Sequence, residues 1–154
     1  QRRTESQSRN TGLQDRIPPR DPTASSNLVD LTQYYNAALS DNWHDPLDKE
    51  NHLGELPTGV HILAGTPFDV RGLIQVKQPS NRYPPRVDGI VVRQTCQQLH
   101  FLHAAIYAAF IANGQEIGRY VAHYANGQEH QIPIISGRDV VDWYDQLLSL
   151  SSGR

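Results

Sequence analysis

Residues 118–135 have the sequence GRYVAHYANGQEHQIPII, in which two alternating runs flank the dipeptide Asn126-Gly127. An Asn-Gly pair between two such runs is the strongest short-range signal for a β-hairpin, because both central positions of a type I′ turn require φ > 0. A two-residue turn would place His123 directly opposite His130. The segment therefore predicts an antiparallel hairpin that carries two imidazoles side by side on one face.

Further β patterns precede this hairpin along the chain. Short apolar or alternating runs at 60–64, 68–76 and 87–92 predict strands. Gly72 interrupts the second run and predicts a bulge with a change of phase. Short strands separated by Gly and Pro turns are typical of two-layer β folds. We therefore expect an all-β fold, an antiparallel β-sandwich or jelly roll.

Three other segments are compatible with more than one structure. Residues 27–38 favour an edge strand followed by a turn, although their apolar positions also fit one helical face. Residues 99–109 fit a central strand or a short helix. Residues 140–150 fit a short amphipathic helix or a last strand.

The N-terminal segment differs in composition from the rest of the chain. Residues 1–26 contain only two large aliphatic side chains, Leu13 and Ile17, and carry five arginines against three acidic residues. Such a segment buries too little apolar surface to offset its own ordering entropy. We therefore predict a polar extended arm or linker at 1–26, followed by a β-sandwich domain at 27–150.

Overall composition argues against several classes of partner. The net charge is −2 and the basic residues are spread along the chain, so no nucleic-acid partner is expected. No apolar run approaches about 18 residues, so we expect no membrane insertion. The single cysteine, Cys96, excludes an intrachain disulfide and is expected to be a small buried hydrophobe. Because the first residue is Gln rather than Met, we expect secretion and cleavage, with an extracellular, cell-surface or periplasmic location.

Catalytic and metal-binding motifs receive little support. The sequence has no GxSxG, no HExxH and no phosphate-binding glycine loop. His123 and His130 would need a third ligand to hold a metal ion. We predict a non-catalytic protein without metal or cofactor, and a metal-dependent enzyme that uses these two histidines and another His is the alternative.

Aromatic residues in polar loops are the clearer sign of function. Trp43 and His44 lie in a polar segment, and Arg82 and Tyr83 lie in a Pro-rich one. A flat ring in an exposed loop stacks on the apolar face of a sugar, while neighbouring polar groups bond its hydroxyls. These four residues are the predicted ligand-binding site, and burial of Trp43 as a core residue is the alternative.

The set of segments LVDLTQYYNAAL, GELPTGVHILAGTPFDVRGLIQV, QLHFLHAA, IGRYVAHYANGQEHQIPI and DVVDWY resembles a galactose-binding-like jelly-roll domain of secreted bacterial proteins of planctomycete type. The resemblance covers residues 27–144 and implies a carbohydrate-binding or surface-interaction module whose partner is a glycan or a cell-surface protein. It also implies a buried polar network of Asp69, Arg71 and His103. The alternative function is a self-assembling subunit of an extracellular fibre, a homo-oligomer whose residues 1–26 add to a sheet edge of the neighbouring copy.

Overall fold

The computed structural model describes residues 12–42, 52–76, 83–106 and 108–142. Within them the strands pair antiparallel into three two-stranded sheets, and helix is limited to short turns. The predicted all-β class is confirmed at this level, whereas the finer prediction of a sandwich or jelly roll stays a prediction. The elements are β1 (Ala37–Ala38), β2 (Gly59–Leu63), β3 (Thr66–Val70), β4 (Gly72–Leu73), a 3-10 helix (Ala108–Phe110), β5 (Glu116–His123) and β6 (Glu129–Ile135), with a helical turn at 12–14.

The chain divides into two compact units, Gln1–His100 and Phe101–Arg154. The first unit contains β1 paired with β4 and β2 paired with β3, and the second contains β5 paired with β6. The predicted boundary after residue 26 therefore lies inside the first unit.

The β2–β3 hairpin closes on Ala64 and Gly65. Leu63 pairs with Thr66, which leaves a two-residue loop, and both loop residues have positive φ, 49° and 80°. This is the conformation of a type I′ turn, whose twist matches that of the strands. The predicted strand at 60–64 is confirmed except for its last residue, which lies in the turn.

The predicted strand at 68–76 is interrupted at Arg71. Strand β3 ends at Val70 and pairs with β2, whereas β4 begins at Gly72 and pairs with β1. Gly72 is required by the ring of Tyr35, since a Cβ atom at position 72 would lie 2.9 Å from Tyr35 Cγ. The change of phase expected at Gly72 is thus a change of strand partner.

The β5–β6 hairpin forms, but with a different turn from the predicted one. Gly127 has a φ of 83° whereas Asn126 does not have positive φ, so a type I′ turn is not formed. The Gly127 N–H donates to the Tyr124 carbonyl at 2.9 Å, and the Tyr124 N–H donates to the Gln128 carbonyl at 2.8 Å. This is a three-residue loop with one left-handed glycine, a common hairpin closure.

The extra loop residue moves the register by one position relative to the prediction. His123 pairs with Glu129, and His130 pairs with Ala122. Because successive side chains of a strand point to opposite faces, the two histidines lie on opposite faces of the hairpin. The predicted side-by-side pair of imidazoles is therefore wrong.

Other predicted strands are shorter than expected or are not formed. Residues 87–92 have no strand, and residues 27–38 form one only at Ala37–Ala38. The described part of 99–109 is irregular apart from one bridge and the start of the 3-10 helix. Its consecutive apolar residues carry no period, so the pattern could not separate a strand from a loop. Cys96 is exposed, which corrects its expected burial.

The hydrophobic core of the first unit is built partly from the predicted arm. Ile17 is buried with Tyr35 and Ala38, and Leu13 packs partly buried against them. The two large aliphatic residues of the arm are thus the ones that anchor it. The arm's described residues fold against their own chain because these side chains find an apolar partner in the strand region.

Buried charge completes this packing around Arg71, whose side chain is 1% exposed. Its guanidinium donates to Asp69 at 2.9 Å, to Asp30 at 3.0 Å and to the Thr32 hydroxyl at 2.8 Å. It also lies 5.5 Å from the centroid of the Tyr35 ring. A buried guanidinium needs such partners, since an unpaired charge in the interior is strongly destabilising. Arg71 therefore joins three segments of the first unit.

Arg20 extends the same network from the arm. Its guanidinium donates to Asp69 at 2.9 Å and to the Leu28 carbonyl at 2.7 Å. Asp69, only 4% exposed at its side chain, thus accepts from two arginines. The Thr32 hydroxyl, and with it Arg71, lowers the pKa of Asp30, the other carboxylate of the network. The described part of the arm is consequently held within its own chain by charge as well as by Ile17.

Candidate functional site

The four predicted ligand-binding residues receive little structural description. Trp43, His44 and Arg82 lie outside the described residues. Tyr83 is described and is 7% exposed. A ring so deeply buried does not offer a face for stacking on a sugar, so the expectation of an exposed Tyr83 ring is corrected.

The tip of the β5–β6 hairpin forms a different candidate site. An open cleft of about 430 Å³ lies there, lined by Tyr124, Gln128, Glu129 and His130. The Tyr124 side chain is 55% exposed. An aromatic ring thus stands at the surface beside an amide, a carboxylate and an imidazole, which is a mixture of one apolar face and several hydrogen-bonding groups. We call this the hairpin-tip cleft.

The turn positions these side chains through a short hydrogen-bond system. The Asn126 side-chain oxygen accepts from the Gln128 N–H at 3.0 Å. The Asn126 amide nitrogen donates to the Gln128 side-chain oxygen at 2.9 Å. Asn and Gly are suited to such turns, since Asn bonds its own backbone two residues on and Gly accepts positive φ. The loop thereby orients Gln128 beside Tyr124, at the start of the returning strand.

The charge in the hairpin-tip cleft comes from Glu129. One carboxylate oxygen accepts from the Gln131 amide nitrogen at 3.3 Å, and the other lies 3.4 Å from Nδ1 of His123. Since Glu129 is about half exposed, both contacts are partly solvated and leave the carboxylate able to accept further hydrogen bonds. The cleft is therefore a polar surface with acceptor character around one ring.

An aromatic cluster supports the hairpin further along β5. The rings of Phe101 and Tyr120 stack with centroids 3.9 Å apart. His103 Nε2 lies 3.1 Å from the Asp139 carbonyl, which can only accept, so Nε2 carries the proton. Nδ1 then accepts from the Tyr120 hydroxyl at 2.9 Å, and burial raises the pKa of Tyr120, which keeps that hydroxyl protonated. His103 thus serves Tyr120 in the second unit.

The polar network implied by the resemblance is found in part. Asp69 and Arg71 are buried and bonded to each other as expected. His103 is exposed, and its ring nitrogens contact Tyr120 and the Asp139 carbonyl. The acidic partner that the sequence did not single out is Asp30, and the additional arginine is Arg20. Their positions in a turn and in the polar arm gave no periodic signal.

A second cavity of about 350 Å³ lies beside the 3-10 helix and is lined in part by Asn113, Ser136 and Asp142. The Asp142 carboxylate accepts from the Ala109 N–H at 3.2 Å. A Cβ atom at Gly137 would lie 2.4 Å from the Asn113 side-chain oxygen, so the Asn113 amide packs directly on that glycine. These polar groups connect neighbouring segments of the second unit.

The metal hypothesis for the histidines gains nothing from the described residues. Within 12–42, 52–76, 83–106 and 108–142, no three His, Cys, Asp or Glu side chains lie close enough together to hold an ion. Across the same ranges, no helix has the length and apolarity needed to cross a membrane.

Comparisons with known proteins leave the site to be judged on its own chemistry. No family model, no curated protein and no solved structure matches the chain.

Proposed function

We propose that this chain is a non-catalytic interaction module that binds carbohydrate at the hairpin-tip cleft. The observation that carries the proposal is the exposed ring of Tyr124 beside Gln128, Glu129 and His130. The apolar face of a pyranose stacks on such a ring, and its hydroxyls both donate and accept hydrogen bonds. The three polar neighbours offer acceptors and donors to match those hydroxyls.

Binding fits the cleft better than hydrolysis does. Most glycoside hydrolases need two carboxyl groups on either side of the scissile bond. Of the four residues that line the hairpin-tip cleft, Glu129 alone bears a carboxylate. One acceptor beside a ring is sufficient for recognition, so the proposal is a binding module.

The proposal includes a jelly-roll sandwich and an extracytoplasmic location. The antiparallel pairing of all three sheets is compatible with such a sandwich. The location follows from the sequence resemblance and from the glycan partner. An experimental structure checks the fold directly, since a sandwich requires two sheets stacked about 10 Å apart.

The alternative of assembly through residues 1–26 draws no support from the described part of that segment. Ile17 is buried within its own unit, and Arg20 bonds Asp69 of the same chain. A side chain already used in this way is not available to a neighbouring copy. We therefore favour carbohydrate binding.

Affinity electrophoresis through soluble polysaccharides, chosen from a glycan-array screen, tests the proposal. The unsubstituted protein should be retarded by at least one glycan, and Tyr124→Ala should lose most of that retardation, because stacking is removed. Phe110→Ala is the matched control, since Phe110 is 85% exposed and is not a residue of the cleft. Equal retardation of Tyr124→Ala and unsubstituted protein, or no glycan bound at all, would overturn the proposal.

A further inference from the structure

The charge of the hairpin-tip cleft is unbalanced. Glu129 contributes a carboxylate, and neither Lys nor Arg is among the residues that line the cleft. Gln131, which donates to the Glu129 carboxylate, is uncharged. A ligand in this cleft therefore meets a negative group without a permanent positive partner.

The guanidinium of this hairpin is occupied elsewhere. Arg119 lies 2.7 Å from the Glu116 carboxylate and donates to the side-chain oxygen of Gln131 at 2.7 Å. Its charge is thus compensated by Glu116, a carboxylate near the far end of the two strands from the turn. An acidic sugar placed against Tyr124 would find no free guanidinium on the hairpin, and a carboxylate or sulfate is normally recognised by such a group.

We infer that the hairpin-tip cleft selects neutral sugars and rejects sugars that carry a carboxylate or sulfate, an inference that rests on the proposed function. An ionised Glu129 accepts hydrogen bonds and cannot donate them. Two neighbouring hydroxyls of a neutral sugar can donate to its two oxygens. A uronate carboxylate or a sulfate ester offers no proton and adds repulsion between like charges.

The test compares neutral and acidic forms of the same polysaccharide backbone. The probes are hydroxyethyl cellulose against carboxymethyl cellulose, methyl-esterified against de-esterified homogalacturonan, and agarose against a sulfated galactan. Dissociation constants are measured at pH 8, where an unperturbed imidazole is neutral, for the unsubstituted protein and for Glu129→Gln and Glu116→Gln. The two variants remove the same charge, but only Glu129 lines the cleft.

The neutral member of a bound pair should bind more tightly, by about two- to fivefold, which is the range of a partly exposed charge interaction. Glu129→Gln should close that gap and Glu116→Gln should preserve it. Equal or tighter binding of the acidic member by unsubstituted protein overturns the inference and leaves the carbohydrate-binding proposal standing. A gap that survives in Glu129→Gln, with circular dichroism unchanged, overturns it too. Failure to bind any glycan removes both.

Discussion

The two units of this chain stabilise short two-stranded sheets by different means. In the first unit, a buried arginine binds side chains from three segments that are far apart in sequence. In the second, the β5–β6 hairpin depends on hydrogen bonds within a five-residue turn. Long-range contacts hold a region together as a unit, whereas a local turn stabilises one hairpin and leaves its tip exposed. The exposed tip is where a ligand can bind.

The difference also concerns where aromatic rings are placed. Tyr35 lies between Gly72 and Arg71 with its ring buried, and burial raises the pKa of its hydroxyl. Tyr124 lies at the hairpin tip with more than half of its surface in solvent. The same residue type thus packs a core in one unit and forms a binding surface in the other. Substitutions in the first unit should change stability, and those at the tip should change recognition.

The largest effect is expected from Arg71→Met, which leaves the buried Asp69 carboxylate without its closest-packed partner. We expect the free energy of unfolding to fall by about 3–5 kcal/mol, as for other broken buried ion pairs. Urea denaturation followed by circular dichroism measures the change. Arg86→Met is the control, because the Arg86–Asp88 pair is exposed and should contribute at most about 1 kcal/mol. Equal losses in the two variants would show that the buried network does not stabilise the first unit.

A smaller loss should follow Gly72→Ala, which tests the packing of Tyr35 rather than the charges. The new Cβ atom would lie 2.9 Å from Tyr35 Cγ, so the buried ring must shift. Overpacking of this kind destabilises by about 1–3 kcal/mol. Gly12→Ala is the matched control, because nothing lies within 4 Å of its added Cβ and its φ is not positive. A neutral Gly72→Ala in thermal denaturation would mean that the ring moves freely.

Gly127→Ala tests the local turn of the second unit. Space is available at this position, but φ is 83°, so the effect comes from the backbone. A left-handed conformation costs a non-glycine residue about 1–2 kcal/mol, and we expect the tip to open before the sheet does. Loss of Tyr124 amide protection in hydrogen exchange measures this, with Gly118→Ala as the control of ordinary packing. Glycan binding should weaken in Gly127→Ala, and unchanged protection would contradict a turn-dependent site.

The sequence predicted the strands and the hairpin better than it predicted the turn. Alternation identified β2, β5 and β6 because period-two patterns report directly on which face is covered. The Asn-Gly signal located the turn but not its length, since a two- and a three-residue loop both place Gly at positive φ. That single residue reversed the face of His130 relative to His123. Ala64-Gly65, which forms the two-residue turn, lacks the residue pair that usually marks one.

The candidate site was less predictable than the fold for a related reason. Tyr124, Glu129 and His130 belong to the hairpin that the sequence identified, yet their exposure depends on what covers each face. Tyr83 shows the converse, because a polar and Pro-rich surrounding sequence did not prevent its burial. Composition around a ring predicts a loop, whereas exposure follows from tertiary packing.

The smallest effect concerns the turn that follows β6, where charge acts locally at the surface. Hydrogen bonds from Arg138 and then from the Ile135 N–H lower the pKa of Asp139 to about 2. Because the folded pKa lies below the ordinary value of 3.8, the stabilisation is present above pH 3.8 and is lost as the pH falls through about 2. Carboxyl ¹³C NMR should therefore give Asp139 a midpoint near 2. Arg138→Ala should raise that midpoint, while Arg119→Ala, which breaks an ion pair with Glu116, should leave it unchanged. A midpoint that responds equally to both variants would mean that the carboxylate senses overall charge, and this turn would then lack the local control that distinguishes the second unit.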